Sequence, residues 1–200
     1  MKIAIYSGSI PAPLYIENLI LAVAGENFNI YIFGKKYSSI NYDNKNIFFF
    51  STPKNKLLLV GFIFYQKLFL IFTKPLSYLK LFKFYYRLCR MEKVRFFDWW
   101  GKILPVVNNL PDIFHIQWAK ALPQWFFLKE LFEVKIILSL RGSHIHYSPL
   151  ADDYLRKKYI DFFPKLDAFH AVSKAIGKQA IKYGANRKNI HVKFLLLHFL

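Results

Sequence analysis

Short apolar runs that stop abruptly in polar or glycine-containing residues alternate along this chain with segments whose apolar residues recur every three to four positions. Lys2 to Tyr6 reads as a buried strand, followed by the turn Ser7-Gly-Ser-Ile-Pro-Ala-Pro13. Leu14, Ile16, Leu19, Ile20, Val23 and Ala24 then follow helical spacing, with Gly25 placed as a helix cap. Asn29 to Phe33 and Ile47 to Phe50 read as the second and third strands. After position 110 the alternation resumes, with strands over Ile113 to Gln117, Lys135 to Leu140, Leu166 to Val172 and Asn189 to Val192. Helices are expected over Leu122 to Phe132, Pro149 to Phe163 and Lys174 to Tyr183, the last capped by Ser173 and ended by Gly184. Strand, helix and strand at short spacing predict an α/β fold, a Rossmann-like parallel sheet flanked by helices.

Between Lys54 and Arg95 the pattern changes. Ten Lys or Arg residues face one acidic residue, Glu92, and are interleaved with Leu, Phe, Tyr and Ile. Spacings such as Leu76, Leu79 and Phe82 with Lys80, Lys83 and Arg87 predict amphipathic helices, so a basic, aromatic helical region is expected at about 54–100. Such helices either cover the sheet with a solvated charged face or lie in the interface of an anionic bilayer. The apolar run Leu57 to Phe72 is interrupted by Gln66-Lys67, and no membrane span is expected from it. A short connection holding Pro105 and Asn108-Asn109 is expected after Trp99-Trp100.

Length and composition narrow the class. Two hundred residues with 54% hydrophobic content can bury one sizeable core, so residues 1–200 are read as a single domain. The single cysteine, Cys89, excludes an intramolecular disulfide framework and points to a reducing compartment. The opening run ends at Ser7-Gly8 and is not a secretory signal. A net charge of +17 implies an anionic partner without choosing among nucleic acid, membrane surface and phosphorylated substrate. The segment 193–200 continues as apolar sequence without a turn, and is read as an aberrant tail.

Candidate chemistry collects where the later strands end. The relevant segments are Pro111-Asp-Ile-Phe-His-Ile-Gln-Trp118, Leu140-Arg-Gly-Ser-His144 and Val172-Ser173. In an open parallel sheet, ligands sit outside the carboxyl ends of the strands. Arg141 beside Gly142 could fork onto a phosphate or carboxylate while the glycine lets backbone N–H groups approach the same anion. His115 is either a hydrogen-bonded core histidine or a ligand contact. Ser7 and Gly8 could present backbone donors to a diphosphate at the first helix N-terminus. His144 and His146 lack further ligands at matching spacing, so no metal is expected. Glu17 is read as part of a solvated face, Asp152-Asp153 as acids in a helix first turn, and Ser173 as a cap with no base to make it a nucleophile.

These residues resemble the N-terminal half of glycosyltransferase family 4 enzymes, the retaining GT-B class that uses nucleotide-sugar donors. The first segment is similar to that family's strand end of the form P-D, two hydrophobic residues, H-x-H and an aromatic. Arg141-Gly-Ser-His144 is similar to its (H/R)-G-x-D element, and Tyr15-Ile16 stands where an E-T-F-I element is common. Gln117 replaces a second His and His144 replaces an Asp. The resemblance implies an acceptor-binding half whose partner is a sugar or glycolipid acceptor of cell-surface polysaccharide assembly. It implies Arg141 and His144 as catalytic, and Ser7, Gly8, Tyr15, His115, Gln117, Gly142, Ser143, His146 and Ser173 as substrate-binding. No cofactor is implied beyond the nucleotide-sugar co-substrate, which a separate C-terminal domain would hold. The setting implied is the cytoplasm, peripheral on the inner membrane face, with little turnover by this chain alone. The alternatives are a non-catalytic basic module for anionic membrane or, less well supported, nucleic acid, and a truncated fragment without function.

Overall fold

The computed structural model describes residues 1–38 and 42–192. Seven strands form one sheet: β1 (Lys2–Ile10), β2 (Asn29–Lys36), β3 (Ile47–Thr52), β4 (Ile113–Ile116), β5 (Lys135–Leu140), β6 (Ala168–Ala171) and β7 (Ile190–Val192). Every pairing is parallel, in the order β3-β2-β1-β4-β5-β6-β7. The order reverses between β1 and β4, which makes their carboxyl ends the topological switch point. The expected Rossmann-like α/β class is therefore the observed one.

The two faces of β1 show why. Ile3 and Ile5 pack with Ile16, Ile20 and Ala24, one stripe at four-residue spacing on α1 (Leu14–Gly25). Ala4 and Tyr6, on the opposite face, join the larger core made with α4 (Phe96–Asn108) and the aromatic residues around Trp125. A strand apolar on both faces belongs in the middle of a parallel sheet. At the strand tops, Gly34 faces Gly8 so closely that a Cβ at Gly34 would stand 2.8 Å from the Gly8 carbonyl carbon.

Between β3 and β4 lie α2 (Lys56–Thr73), α3 (Pro75–Met91) and α4. Two expectations fail here. The connection predicted around Pro105 and Asn108 is the buried end of α4. Pro105 removes the N–H that would reach the Gly101 carbonyl one turn back, and the Thr52 hydroxyl at the end of β3 donates to that carbonyl instead, at 3.3 Å. Asn108, read as a loop residue, donates through Nδ2 to the Gln66 carbonyl at 3.1 Å and to Gln66 Oε1. Gln66-Lys67, read as an interruption, leave α2 unbroken because both face inward. Lys67 Nζ stands 3.9 Å from the centre of the Trp100 ring. As a result α2 is long and apolar enough to cross a membrane by length and composition, although only a small part of it is buried.

Other boundaries shift for local reasons. Gly25 closes α1 from within, and Asn27 takes the left-handed conformation (φ 60°). Glu17 is not solvated: it accepts from the Ala12 N–H at 2.5 Å and the Tyr42 hydroxyl at 2.6 Å, tying down the turn before α1. The helix expected over 122–132 divides into α5 (Leu122–Trp125) and α6 (Phe127–Phe132). That expected over 149–163 divides at Asp152, which caps α9 (Asp153–Phe162) by accepting from the Leu155 N–H, after the short α7 (Gly142–His146) and α8 (Ser148–Ala151). Ser173 caps α10 (Lys174–Ile181), accepting from the Ile176 N–H at 3.2 Å. The tail at 193–200 lies outside the described residues.

Candidate functional site

Parallel register brings the polar residues of three apolar strands onto one patch. Ser139 and His170 are register partners on β5 and β6, and His115 sits one strand away on β4. The Ser139 hydroxyl is the hub: its oxygen lies 3.0 Å from His115 Nε2, 3.2 Å from His170 Nδ1 and 3.3 Å from Gln117 Oε1. Arg141, just beyond β5, donates from Nε to the Gln117 carbonyl at 3.4 Å and from a terminal nitrogen to Gln117 Oε1 at 3.2 Å. Since arginine only donates, it fixes which way the Gln117 amide points. Ser139 has one proton; given to Gln117 Oε1, it leaves both imidazole nitrogens as donors to the serine oxygen.

Electrostatics follow from this packing. Burial, then the neighbouring His170 and the Arg141 cation, push the His115 pKa down to about 3, so its imidazole is neutral at pH 7. Burial also lowers the pKa of His144, helped by Lys120 and Arg141. Arg141 itself is pushed down by burial, with Tyr15 opposing. Its guanidinium lies 4.2 Å from the centre of the Tyr15 ring and 5.4 Å from that of Trp118. Among the described residues no carboxylate is ion-paired with it, and Gln117 engages two of its five N–H donors.

The switch-point crevice is bridged by Trp118, whose indole N–H donates to the Ser7 carbonyl at 3.1 Å. The Trp118 ring also meets Tyr15 edge-on and leans over His144, centroids 5.4 Å apart. His144 is held from behind by the Tyr159 hydroxyl, which donates to its carbonyl. Two buried polar atoms here have no hydrogen-bond partner among the described residues, Gln117 Nε2 and His144 Nδ1.

The structure therefore gathers Arg141, His144, His115, Gln117 and Tyr15 around the β4 and β5 tips. It places others elsewhere. Ser7 and Gly8 belong to β1, which runs on to Ile10, and are not at the N-terminus of α1; the Ser7 hydroxyl donates to the Ser9 carbonyl. Gly142 needs no glycine on spatial grounds, because a Cβ there meets nothing within 4 Å. Ser143 is exposed and offers its carbonyl to Ser148 Oγ. His146 has its ring beside Tyr147, outside the cluster. The Ser173 hydroxyl is engaged in capping α10. Ser139, His170 and Trp118 were missed as site residues, although a lone polar residue in each of two apolar strands was a visible signal. Among the described residues no group of three metal-ligating side chains occurs.

A groove of about 1100 Å³ opens on the same edge of the sheet. Because α4 runs down into β4, its N-terminal end lies at the strands' carboxyl edge, and the groove separates it and the end of α3 from α8 and α9. Lys120, beside the cluster, lies in its wall, with Arg87, Lys93 and Lys158 further along.

No family model matches this sequence, and no curated protein does. Solved structures do. The sucrose-phosphate synthase structure from Thermosynechococcus elongatus matches 96% of this chain and 87% of its own, at 12% identity and a TM-score of 0.53. HepE from Anabaena, crystallised with UDP-glucose, matches 97% of this chain at 11% identity and a TM-score of 0.49; the chain spans 43% of HepE's length. The first likeness establishes the fold, a Rossmann-like α/β domain shared with that sucrose-phosphate synthase structure.

Proposed function

We propose that this chain is the acceptor-side half of a glycosyltransferase of the retaining, nucleotide-sugar-dependent kind. The observation that carries the reading is Arg141, a half-buried cation at a strand tip that has no carboxylate partner among the described residues. It is held against Tyr15 and Gln117 with donors to spare. Such a cation stabilises the negative charge that builds on a departing diphosphate. Beside it, Gln117 Nε2 and His144 Nδ1 are buried polar atoms without a hydrogen-bond partner among the described residues, and a buried polar group left unmade costs about 1–3 kcal/mol. Neutral His144 cannot take the place of a permanent carboxylate, so it orients a hydroxyl rather than serving as a strong base. The groove, whose wall carries seven Lys or Arg residues against the four carboxylates of Glu92, Asp98, Glu130 and Asp152, suits an anionic acceptor such as a diphosphate-linked glycolipid. In this reading the nucleotide is held by a donor-binding domain other than the one formed by residues 1–192.

The test is titration with inorganic diphosphate, the group Arg141 is proposed to meet, followed by tryptophan fluorescence, since Trp118 stands against Arg141. Saturable binding is expected, weakened at least about tenfold by Arg141→Ala, as loss of charge-assisted hydrogen bonds requires. Supplying a donor-binding domain is expected to give sugar transfer. Binding indifferent to Arg141→Ala, together with no transfer in any combination, sinks the reading.

A further inference from the structure

The helix α2 is apolar on both sides: Ile63 and Leu70 are buried against the protein, and a second apolar stripe is left exposed. Leu57, Gly61, Phe64, Leu68 and Phe72 fall on one stripe at spacings of four, three, four and four, and all are exposed. Leu57 and Phe72 are each 81% exposed and Phe64 is 64%. Leu58, Tyr65 and Phe69 widen the stripe, with the Tyr65 and Phe69 rings stacked. Meanwhile the mid-helix polar pair faces the protein: Gln66 is bonded to Asn108, and Lys67 lies over Trp100. An exposed apolar face of this extent marks an interaction surface.

Charge identifies the partner. In contact with α2, α3 presents Lys80, Lys83, Arg87 and Arg90 to solvent, and Lys54 and Lys56 flank the start of α2. None of these six is ion-paired among the described residues, and no acidic residue occurs between Asp43 and Glu92. Apolar side chains beside cations match the acyl and headgroup layers of an anionic bilayer. A second copy fits poorly, since the same face on the other copy brings the same cations and no carboxylate from residues 44–91 to pair with them.

We infer that the α2–α3 hairpin is a docking surface for an anionic lipid bilayer, with α2 lying in the plane of the interface. The aromatic and aliphatic stripe enters the headgroup and upper acyl region, and the cations of α3 meet phosphate oxygens. The groove, whose wall includes the end of α3, then opens beside the lipid surface. This inference rests on α2 and α3 alone and stands or falls apart from sugar transfer.

Flotation of the full chain with vesicles tests it. Phosphatidylcholine vesicles containing phosphatidylglycerol are expected to carry the protein, and pure phosphatidylcholine vesicles to carry it at least about tenfold less. Phe64→Asp with Phe72→Asp, and separately Lys80→Glu with Lys83→Glu, are each expected to lower partitioning at least about tenfold without changing the circular dichroism spectrum. In a Cys89→Ser background, fluorophores on Leu57→Cys and on Phe72→Cys are expected to be quenched at equal depth. The two positions are about 22 Å apart along the helix, so graded depths would mean that α2 crosses the bilayer, overturning the in-plane placement. Equal binding to neutral and anionic vesicles, indifference to both substitution pairs, or a concentration-dependent dimer that the Phe64→Asp, Phe72→Asp pair dissolves would overturn the docking surface itself.

Discussion

Acidification tests the cluster most directly. His115 is neutral in the fold, with its pKa pushed to about 3 by burial, His170 and Arg141, whereas an unfolded histidine titrates near 6.5. Between these values the unfolded chain binds the extra proton, so stability must fall as pH falls from about 6.5 towards 3 and level off below. Each pH unit is worth at most about 1.4 kcal/mol. From pH 7 to pH 5 the loss from this one residue is about 2 kcal/mol, a value that hardly changes wherever below about 4 the folded pKa lies. His115→Gln keeps an amide nitrogen within reach of Ser139 and removes the titration. Urea denaturation of both proteins at pH 7 and pH 5 separates His115 from every other group, including His144, whose lowered pKa acts in the same direction. The expected result is that the variant loses about 2 kcal/mol less than the parent over this interval. Parallel losses would mean that His115 is protonated in the fold, and the serine-centred hydrogen-bond pattern would be wrong.

Three further outcomes are expected. Thr52→Val strands the Gly101 carbonyl that Pro105 leaves open and is expected to cost about 1–2 kcal/mol; in a Pro105→Ala background, which restores an N–H, the cost should shrink, and a double-mutant cycle by urea denaturation measures the difference. Gly34→Ala forces a Cβ against the Gly8 backbone and is expected to lower stability by about 1–3 kcal/mol or prevent folding, visible in the thermal midpoint. Burial, then the hydrogen bond to Glu17 and its charge, raise the Tyr42 pKa well above 10, so Glu17→Gln is expected to bring its phenolate absorbance to lower pH in an alkaline titration, and an unchanged curve would mean that the two side chains do not meet.

Much of the fold was legible because strand tips and helix stripes are local patterns. Ile3 to Tyr6 and Ile136 to Leu140 could only be interior strands. What escaped depends on partners far along the chain. Pro105 and Asn108-Asn109 look like a helix breaker until Thr52 supplies the missing donor, a contact spanning 49 residues. Gln66-Lys67 look like a solvated break until Trp100 and Asn108 are set beneath them. In the candidate site, Arg141, His115 and Gln117 stood out by type and position. Ser139 did not, because its importance comes from strand register, which sets one small hydroxyl among two imidazoles and an amide. Ser7 and Gly8 were misplaced because β1 continues through a glycine-containing irregularity where a turn was the simpler reading.

The exposed apolar stripe of α2 also inverts the ordinary rules of substitution tolerance. At most protein surfaces, exchanging an exposed phenylalanine for a serine is harmless or improves behaviour, and changing an inward residue to something apolar is safe. Along α2 the outward positions should instead reject polar replacements under selection for function while showing no defect in purified, folded protein. The inward Gln66 and Lys67 should resist aliphatic replacement, because Asn108 would lose one of its two acceptors on Gln66 and Trp100 its cation. A saturation library scored once for folding and once for activity in cells would show α2 as the region where the two profiles diverge.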